Sequence, residues 1–570
     1  MKITLNFKFK FVFIFWLLTA ICPLLAGEAK AQNITPPLPP QISPVEPETL
    51  PPLEELLPNL QQIPPEDPGD RELGVPNTVF IEKFAIVGST VFTPEELAVV
   101  LEPFTGRKVS FTELLSAQQA IDKLYIDNGY ITSGTFLPPQ QITNGIVTIE
   151  VIEGAVEEIR LQGLDRLDAD YVRSRLEIAT KPPLQQAKLL NALQLLQLDP
   201  LIENLAAELS AGTRTGTSIL ELELTEADPF DLILSFDNFR APSVGTNRLQ
   251  ATATHRNLLG FGDRFNIGYL NTEGSDSLND LNYTLPVNAR NGTLNFRLNF
   301  TDSTIIEEPF DQFDIESENT TYEFTFRQPL LQKPNQEAAI GLTFARNESA
   351  LTLAGEPVAL SRGADANGET NISALRFFQE YTNRNAKQVF ALRSQFSLGL
   401  DLFDATINQD ALPDSEFFAW RGQMQYLRLL NSDLTLLLRS DLQLATEALV
   451  PVEQFSLGGA LSVRGFRQDA LLGDNGWFSS AELRATVMQI PQWKTTFQLT
   501  PFFDLGTVWN SDDLSISPNT LVSTGIGLRI QVDDYLAARL DWGIPLVEIE
   551  TNGDTLQENG IYFLVELKPF

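Results

Sequence analysis

Cysteine and histidine are almost absent from this sequence. Among its 570 residues there is one cysteine, Cys22, and one histidine, His255. A disulfide framework, a Cys/His zinc site and a Cys–His catalytic pair all need more of these side chains. No G-x-S-x-G, H-E-x-x-H or phosphate-loop pattern occurs either. We therefore expect no catalytic residue, no metal site, no cofactor and no enzymatic activity.

Basic residues and long apolar runs are also scarce. The chain has 40 Lys and Arg residues against 74 Asp and Glu residues, which gives a formal net charge of −34. Such a surface repels phosphate backbones, so nucleic acid is not an expected partner. After residue 31, no stretch approaches the about 18 consecutive apolar residues of a membrane-spanning helix. The mean hydropathy of −0.06 resembles that of a soluble protein.

Residues 1–31 have the pattern of an export signal. Lys2, Lys8 and Lys10 precede a mostly apolar run over residues 11–25, and the small-residue pattern Ala29-Lys30-Ala31 follows. This run is short for a bilayer-spanning helix of about 20 residues. The pattern predicts a signal peptide that is cleaved after Ala31. An uncleaved anchor helix is the alternative.

Residues 32–78 form a proline-rich, acidic leader. They include 13 prolines, and eight acidic residues stand against one basic residue. A segment of this composition cannot bury a core and favours extended polyproline geometry. We interpret it as a stiff spacer between the signal and the folded protein. A mobile plug or docking segment is the other interpretation.

Residues 79–154 and 155–228 have the texture of a duplicated α/β domain. Gly88 and Gly163 each follow a short apolar strand pattern and lie 163 − 88 = 75 residues apart. Alternating strands at 147–154 and 220–227 close the two units, and helical patterns lie between. A repeat at near-constant spacing indicates duplicated modules. The pattern of each unit predicts the order β-α-α-β-β, in which two helices cover a small sheet.

Residues 229–570 change to period-2 alternation. Leu294, Phe296, Leu298 and Phe300 alternate with polar residues, and sixteen such runs of about ten residues can be counted. A soluble β-sandwich would alternate similarly, but the export signal, the aromatic faces and the lack of helical pattern favour a membrane barrel. The predicted fold is an all-β transmembrane barrel of 16 antiparallel strands, preceded by two small α/β domains.

A long segment at 447–475 separates the eleventh and twelfth predicted strands. It includes Gly458-Gly459 and the sequence Val463-Arg464-Gly465-Phe466. Paired glycines permit tight backbone turns, and a lone arginine framed by apolar side chains is unusual in a surface loop. These residue types set the segment apart from an ordinary surface loop.

The sequence at 463–466 resembles the tip of loop six in the BamA-type outer-membrane superfamily. The two α/β units resemble POTRA domains, and residues 282–287, 478–484 and the F-x-D-x-G pattern at 502–506 are also family-like. Two such units before a 16-stranded barrel resemble the two-partner secretion transporters, the TpsB family of the ShlB/FhaC/HecB haemolysin secretion and activation type. The resemblance covers residues 79–570.

This resemblance implies a translocator in the outer membrane of a diderm bacterium. POTRA domains in the periplasm would bind an unfolded exoprotein, and the barrel would conduct it to the cell surface. Loop six would fold back into the lumen, where the guanidinium of Arg464 would bind the carboxylate of Asp504 through two parallel hydrogen bonds. The implied pore-loop latch includes the residues Val463, Arg464, Gly465, Phe466, Phe502, Asp504 and Gly506.

An exposed strand edge in a POTRA sheet can accept an extended segment as an added strand. We expect the closing strands of the two units to take part, although the alternation does not decide which edge is free. The candidate substrate-binding residues are Val147, Ile149, Val151, Leu222 and Leu224.

The expected partners are a secreted exoprotein of the two-partner type, outer-membrane lipid and, during biogenesis, the barrel-assembly machinery; the chain is expected to be a monomer. An assembly factor of the BamA type is one alternative, and it would carry more POTRA domains. A passive porin is another, and it would need neither the periplasmic units nor a latched loop.

Pro569 interrupts the last alternating strand because proline cannot donate a ladder hydrogen bond.

Overall fold

The computed structural model describes residues 78–409, 412–549 and 553–569. The predicted signal peptide with its cleavage site after Ala31, the leader up to residue 77 and Phe570 lie outside the described residues. Within these ranges, no helix has the length and apolar character needed to cross a membrane. The described chain forms two α/β units followed by a β-barrel.

The first α/β unit is a three-stranded sheet covered by two helices, with a two-stranded ribbon beside it. The last strand is central, parallel to the first sheet strand and antiparallel to the middle one. The helices pack on this strand, where Leu97, Ile121 and Tyr125 form one buried cluster with Ile149 and Val151. The elements are β1 (Val79–Ile81), β2 (Lys83–Val87), α1 (Pro94–Leu101), β3 (Arg107–Val109), α2 (Phe111–Asp127), β4 (Gly134–Phe136) and β5 (Ile146–Ile152).

Capping residues fix where the helices of this unit begin. Thr93 caps α1 and Ser110 caps α2, and each side-chain oxygen accepts a hydrogen bond from the N–H three residues further on. Glu96 and Glu113 bond back to the capping residues, which completes a capping box at both helices. The two helices predicted between the strands of this unit are present. The ribbon of β1 and β3 was not predicted.

The second α/β unit repeats this topology. Its last strand is again central, parallel to the first strand and antiparallel to the middle one. Leu176, Leu193 and Leu220 are fully buried in the shared core of helices and sheet. The elements are β6 (Ala155–Gln162), α3 (Ala169–Ala179), α4 (Gln186–Gln197), β7 (Ile202–Ala211) and β8 (Thr217–Glu226). The predicted duplication of a β-α-α-β-β module is therefore present.

The glycines that revealed the repeat occupy equivalent positions. Gly88 follows β2 with a φ of +93°, and Gly163 follows β6 with a φ of +86°. A Cβ atom at either glycine would collide with a carbonyl oxygen of the central strand, at Val151 or Leu224. Both positions thus need glycine for its positive φ and for its lack of a side chain.

The barrel closes on itself through antiparallel pairing of sixteen strands within the described residues. The strands are β9 (Phe230–Asp237), β10 (Arg248–Arg256), β11 (Arg264–Asn271), β12 (Ser275–Pro286), β13 (Thr293–Thr304), β14 (Ile315–Lys333), β15 (Gln336–Leu353), and, after a two-residue extension β16 (Glu356–Pro357), β17 (Glu369–Asn385), β18 (Gln388–Leu400), β19 (Phe418–Asn431) and β20 (Leu434–Ala445). After the hairpin of β21 (Phe455–Leu457) and β22 (Leu471–Gly473) come β23 (Asn475–Ile490), β24 (Thr495–Trp509), β25 (Thr520–Val532), β26 (Leu536–Pro545) and β27 (Ile561–Leu567). Short 3-10 helices lie at Glu102–Phe104, Pro242–Val244, Asp311–Phe313, Pro451–Glu453 and Pro491–Trp493.

The alternation predicted for the barrel strands is present as two faces. Phe296 on β13 and Phe324 on β14 are register partners on the outer face, with 49% and 48% exposure. The next pair along, Arg297 and Glu323, forms an ion pair at 3.2 Å on the other face. The predicted 16-stranded transmembrane barrel is confirmed. Pairing is shortest at the closure seam, where β27 and β9 share four register pairs.

The second α/β unit contacts the turns at one end of the barrel. The Asp168 N–H donates to the carbonyl of Gly260 at 2.8 Å, and Arg175 Nε donates to Asn291 Oδ1 at 2.7 Å. We call the end of the barrel that contacts this unit the unit-bearing end. Because successive strands alternate in direction, the loop between β20 and β23 lies at the opposite end, which we call the outer end.

Candidate functional site

The loop between β20 and β23, residues 446–474, is folded back and packed against the barrel wall. Gly458 and Gly459 have φ angles of +106° and +94°, which allow the reversal. The N–H of Gly459 donates to the carbonyl of Phe466 at 3.0 Å across the turn. The loop side chains and wall side chains form one buried cluster of Phe455, Leu457, Val463, Phe466, Ala470, Leu471, Phe478, Val508 and Leu521. We call this segment loop six.

Arg464 lies at the tip of loop six, and its side chain is fully buried. Nε donates to Asp504 Oδ2 at 2.7 Å, and Nη2 donates to Asp504 Oδ1 at 3.0 Å. The backbone N–H of Arg464 also donates to Asp504 Oδ2, at 3.2 Å. The structure thus brings the predicted pair together in a two-pronged arrangement that fixes both the distance and the orientation of the loop tip.

Other acidic and polar groups surround the same guanidinium. Nη1 of Arg464 donates to Glu482 Oε2 at 2.6 Å, and Asp541 Oδ2 lies 3.7 Å from the same nitrogen. Ser480 Oγ donates to Asp504 Oδ1 at 2.6 Å. Sequence reasoning did not assign Glu482, Ser480 or Asp541 to the site. Glu482 and Ser480 lie in the family-like stretch 478–484, which was the available sign.

All three defined residues of the F-x-D-x-G pattern on β24, Phe502, Asp504 and Gly506, lie against loop six. The guanidinium carbon of Arg464 lies 3.4 Å from the ring centroid of Phe502, which allows a cation–π contact. A Cβ at Gly506 would lie 2.7 Å from the side chain of Leu457 and 3.1 Å from that of Val463. The phenylalanine, aspartate and glycine therefore supply a ring, an anion and a space to the same loop.

The last barrel strand also holds the loop tip. Gly465 N–H donates to the hydroxyl of Tyr562 on β27 at 2.9 Å, and that hydroxyl donates to the carbonyl of Phe466 at 2.5 Å. Gly465 has a φ of +100° and lies against the backbone of Gly543. Tyr562 was not predicted, because one tyrosine in an alternating strand carries no distinguishing pattern.

The predicted substrate-binding strands are not sheet edges, and this expectation is wrong. β5 pairs with β2 on one side and with β4 on the other, and β8 lies in the same way between β6 and β7. A strand with both neighbours in place cannot accept another. The five side chains proposed for this role are at most 5% exposed and belong to the helix–sheet cores: Val147, Ile149, Val151, Leu222 and Leu224.

The first α/β unit does offer an edge strand with an apolar groove. β2 is an outer strand of its sheet within the described residues. A groove of about 270 Å³ lies between β2 and α1, and its lining includes Phe84, Ile86, Phe92 and Ala98. The other edge strand, β4, is covered by α2.

The side chains that cover β4 belong to Gln118 and Asp122. Gln118 Nε2 donates to the carbonyl of Thr135 at 2.6 Å, and the Thr135 N–H donates to Asp122 Oδ1 at 2.7 Å. Burial raises the pKa of Asp122, and the hydrogen bonds from Thr135 oppose that shift. The accessible edge of this sheet is therefore the one at β2.

A closed barrel with two α/β units at one end and a latched internal loop defines a POTRA–barrel transporter of the outer membrane. The chain belongs to the family described as haemolysin secretion/activation protein ShlB/FhaC/HecB, whose model matches residues 216–530, more than half of the chain. The model of the ShlB-type POTRA domain matches residues 79–154.

Similar proteins are named as transporters. The chain is 25% identical over 482 residues to the outer membrane transporter CdiB of Escherichia coli O6:K15:H31, covering 82% of this chain and 79% of that one. It is 24% identical over 507 residues to the heme/hemopexin transporter protein HuxB of Haemophilus influenzae strain Rd, covering 84% of both.

Two solved structures share the fold. CdiB from Escherichia coli superposes with a TM-score of 0.69 at 22% identity, covering 90% of this chain and 95% of that chain. BamA from Haemophilus ducreyi lacking POTRA domains 1–3 gives a TM-score of 0.52 at 16% identity, covering 86% and 100%. The protein is an outer-membrane translocator of two-partner secretion, with its α/β units in the periplasm.

Proposed function

We propose that β2 and its groove receive an unfolded exoprotein in the periplasm, and that Arg464 holds loop six as a gate in the conducting barrel. The observation that carries the gate is the full burial of Arg464 against Asp504 and Glu482. Removing one partner of a buried ion pair costs about 3–5 kcal/mol, because the other charge is left without compensation. The gate therefore stays shut until both charges find new partners.

The β2 edge supports the choice of an extended polypeptide as cargo. A free strand edge recognises backbone groups in any sequence, whereas the groove selects apolar side chains at alternate positions. A secreted exoprotein that stays unfolded in the periplasm offers both features. HuxB is named for heme and hemopexin; for this chain we propose a large secreted exoprotein.

The remaining partners follow from the barrel. Its outward aromatic side chains suit outer-membrane lipid, and its strands close without a second copy, in keeping with a monomer. The last strand ends at Leu567, before Pro569, and would be read by the barrel-assembly machinery. We propose transport without a catalytic step.

Secretion by Arg464→Ala tests the gate. A secreted exoprotein of the two-partner type would be co-expressed, and its secreted and cell-associated amounts would be compared. We expect reduced secretion with normal amounts of folded barrel, judged by heat-modifiable gel mobility, because a loop tip without its ion pair leaves the pore leaky but no longer takes the defined position from which it moves aside for the exoprotein. Arg362→Ala is a matched control, since Arg362 pairs with Asp512 between other loops. Normal secretion by Arg464→Ala at normal membrane levels contradicts the gate.

Cross-linking of the exoprotein to the first α/β unit tests the groove. Ala98→Trp would fill the groove and should weaken cross-linking, because Ala98 lines it. Val99→Trp is the control, because Val99 is on the same helix, is 71% exposed and does not line the groove. Equal cross-linking by the two variants would place the cargo elsewhere.

A further inference from the structure

A second arginine of loop six, Arg467, is bound by carboxylates from two other loops. Its Nη1 and Nη2 donate to the two carboxylate oxygens of Glu307 at 2.7 and 2.8 Å. Nη1 also lies 3.3 Å from Glu558 Oε1. Glu307 follows β13 and Glu558 precedes β27, so one side chain joins loop six to two distant hairpins.

The next residue extends this contact to the loop after the first barrel strand. The N–H of Gln468 donates to Gln557 Oε1 at 2.8 Å. Gln557 is fully buried, and its Nε2 donates to the carbonyls of Asn238 and, at 2.7 Å, Arg240. Loop six is thus tied to the loops on both sides of the seam where β9 meets β27.

A last hydrogen bond closes a ring of contacts. The N–H of Ile306, next to Glu307, donates to the carbonyl of Ser243 at 2.9 Å. In the order 238–247, 305–314, loop six and 553–560, each segment therefore contacts the next, and 553–560 contacts 238–247 again. All of them lie at the outer end of the barrel, and the ring spans the seam that has four register pairs.

We propose that Arg467, Glu307 and Glu558 form an outer clasp, which holds loop six to the loops around the closure seam and shuts the outer mouth of the pore. This inference rests on the proposed gate at Arg464. The clasp is a separate lock, because among the described residues Arg467 and Arg464 pair with different carboxylates.

The two locks differ in their access to water. The side chain of Arg464 is fully buried, whereas those of Arg467 and Glu307 are 16% and 23% exposed. Salt screens an ion pair more strongly as the pair becomes more accessible to water. The clasp therefore loosens first, and it is the part that an ion or a charged segment at the mouth can reach.

Single-channel recording of the full chain in planar bilayers tests the clasp. Arg467→Gln should raise the ratio of open to closed time about 5- to 30-fold, which corresponds to the loss of one to two kcal/mol. Arg467→Lys keeps the positive charge but loses the planar guanidinium that binds both carboxylate oxygens. Its ratio of open to closed time should lie between those of the parent and of Arg467→Gln. Arg362→Gln serves as the control, because it removes an ion pair between loops that does not involve loop six.

The outcome separates the clasp from the gate. If Arg464→Ala opens the pore and Arg467→Gln leaves it within twofold of the parent, the clasp is wrong and the gate stands. If neither opens the pore, the gate is wrong and the clasp falls with it. Arg467→Gln and Glu307→Gln combined should have about the effect of either alone; independent, additive effects contradict a shared contact.

A reversible covalent bridge between residues 467 and 307 tests the clasp in a second way. Because one and the same variant is compared with and without the bridge, a change in the stability of the variant does not affect the result. The sequence has no cysteine other than Cys22, so Arg467→Cys with Glu307→Cys in a Cys22→Ser background can be bridged by a cleavable bis-thiosulfonate. We expect the bridge to block secretion and a reductant to restore it. Undiminished secretion while bridged shows that the clasp does not open and overturns the inference.

Discussion

Carboxylates have opposite tasks in the periplasmic units and in the barrel. In the units, Glu153 accepts the N–H groups of Thr90 and Val91 at 2.7 and 3.0 Å, so it fixes a turn of its own sheet. In the barrel, Asp504 binds Arg464, a side chain of a long loop. The first contact is part of the fold of its unit, whereas the second joins a long loop to the barrel wall. A carboxylate thus supports the fold in one region and the proposed gate in the other.

The second unit repeats the turn-fixing contact. Glu226 accepts the N–H groups of Asp165, Arg166 and Leu167 at 2.7 to 2.9 Å. Burial raises the pKa of Glu226, but these hydrogen bonds outweigh it, and its pKa lies below the ordinary value. The same balance holds the pKa of Glu153 below its ordinary value.

The largest effect is expected in the barrel. Asp504→Ala leaves Arg464 buried without its two-pronged partner and should weaken the attachment of loop six by about 3–5 kcal/mol. The measurement is tryptic cleavage within loop six on intact cells, which should rise steeply. Asp512→Ala is the control, because it breaks a partly exposed pair between other loops. If loop six resisted trypsin equally well in Asp504→Ala and Asp512→Ala, Asp504 would not hold the loop. The contrast between the barrel and the periplasmic units would then be wrong.

Glu153→Gln comes next and should act on stability alone. An amide accepts the Thr90 and Val91 bonds more weakly than a carboxylate does, so we expect a loss of about 1–3 kcal/mol in the first unit. Hydrogen exchange of that unit within the full chain measures the loss. Channel opening should not change; a change in conductance would show that turn and gate are coupled.

The acid dependence of the units sharpens this comparison. Because the pKa of Glu153 and Glu226 is lowered in the folded state, their contribution is present above the unfolded value of 4.5 and is lost as pH falls through the folded values. The exchange difference between the parent and Glu153→Gln should therefore shrink below about pH 4. A difference that is constant from pH 7 to pH 3 contradicts this account.

The smallest effect is expected at Phe502. Phe502→Leu keeps an apolar side chain but removes the ring beneath the Arg464 guanidinium, for a loss of about 0.5–2 kcal/mol. Open time in bilayers should rise less than in Asp504→Ala. An equal rise in both would mean that the ring contributes as much as the anion.

Most of the barrel could be predicted from the sequence, because every strand must present one apolar and one polar face. The sixth strand shows the limit: the predicted runs are about ten residues long, whereas β14 has 19 residues, from Ile315 to Lys333. Near its start, β14 carries the exposed acidic residues Glu316 and Glu318, so this end extends past the apolar band. Alternation of apolar and polar residues is no longer required there.

The functional site was only partly predictable for a related reason. Arg464 and Asp504 lie in short patterns that can be compared with a family. Tyr562 and Asp541 come from single positions on later strands, and only the closed barrel brings them to the loop. The closing strands of the units misled the interpretation because alternation shows which face of a strand is buried, not whether the strand has a neighbour on both sides. Both strands are central in the structure and so have no free edge.

The bond from Gly465 to Tyr562 makes the seating of loop six depend on barrel closure. Tyr562 lies on the last of the sixteen barrel strands, and that strand also closes the cylinder against β9. The partner of the Gly465 N–H is therefore in place only when this strand has paired. We expect a chain truncated before Tyr562 to hold the tip of loop six with fewer contacts.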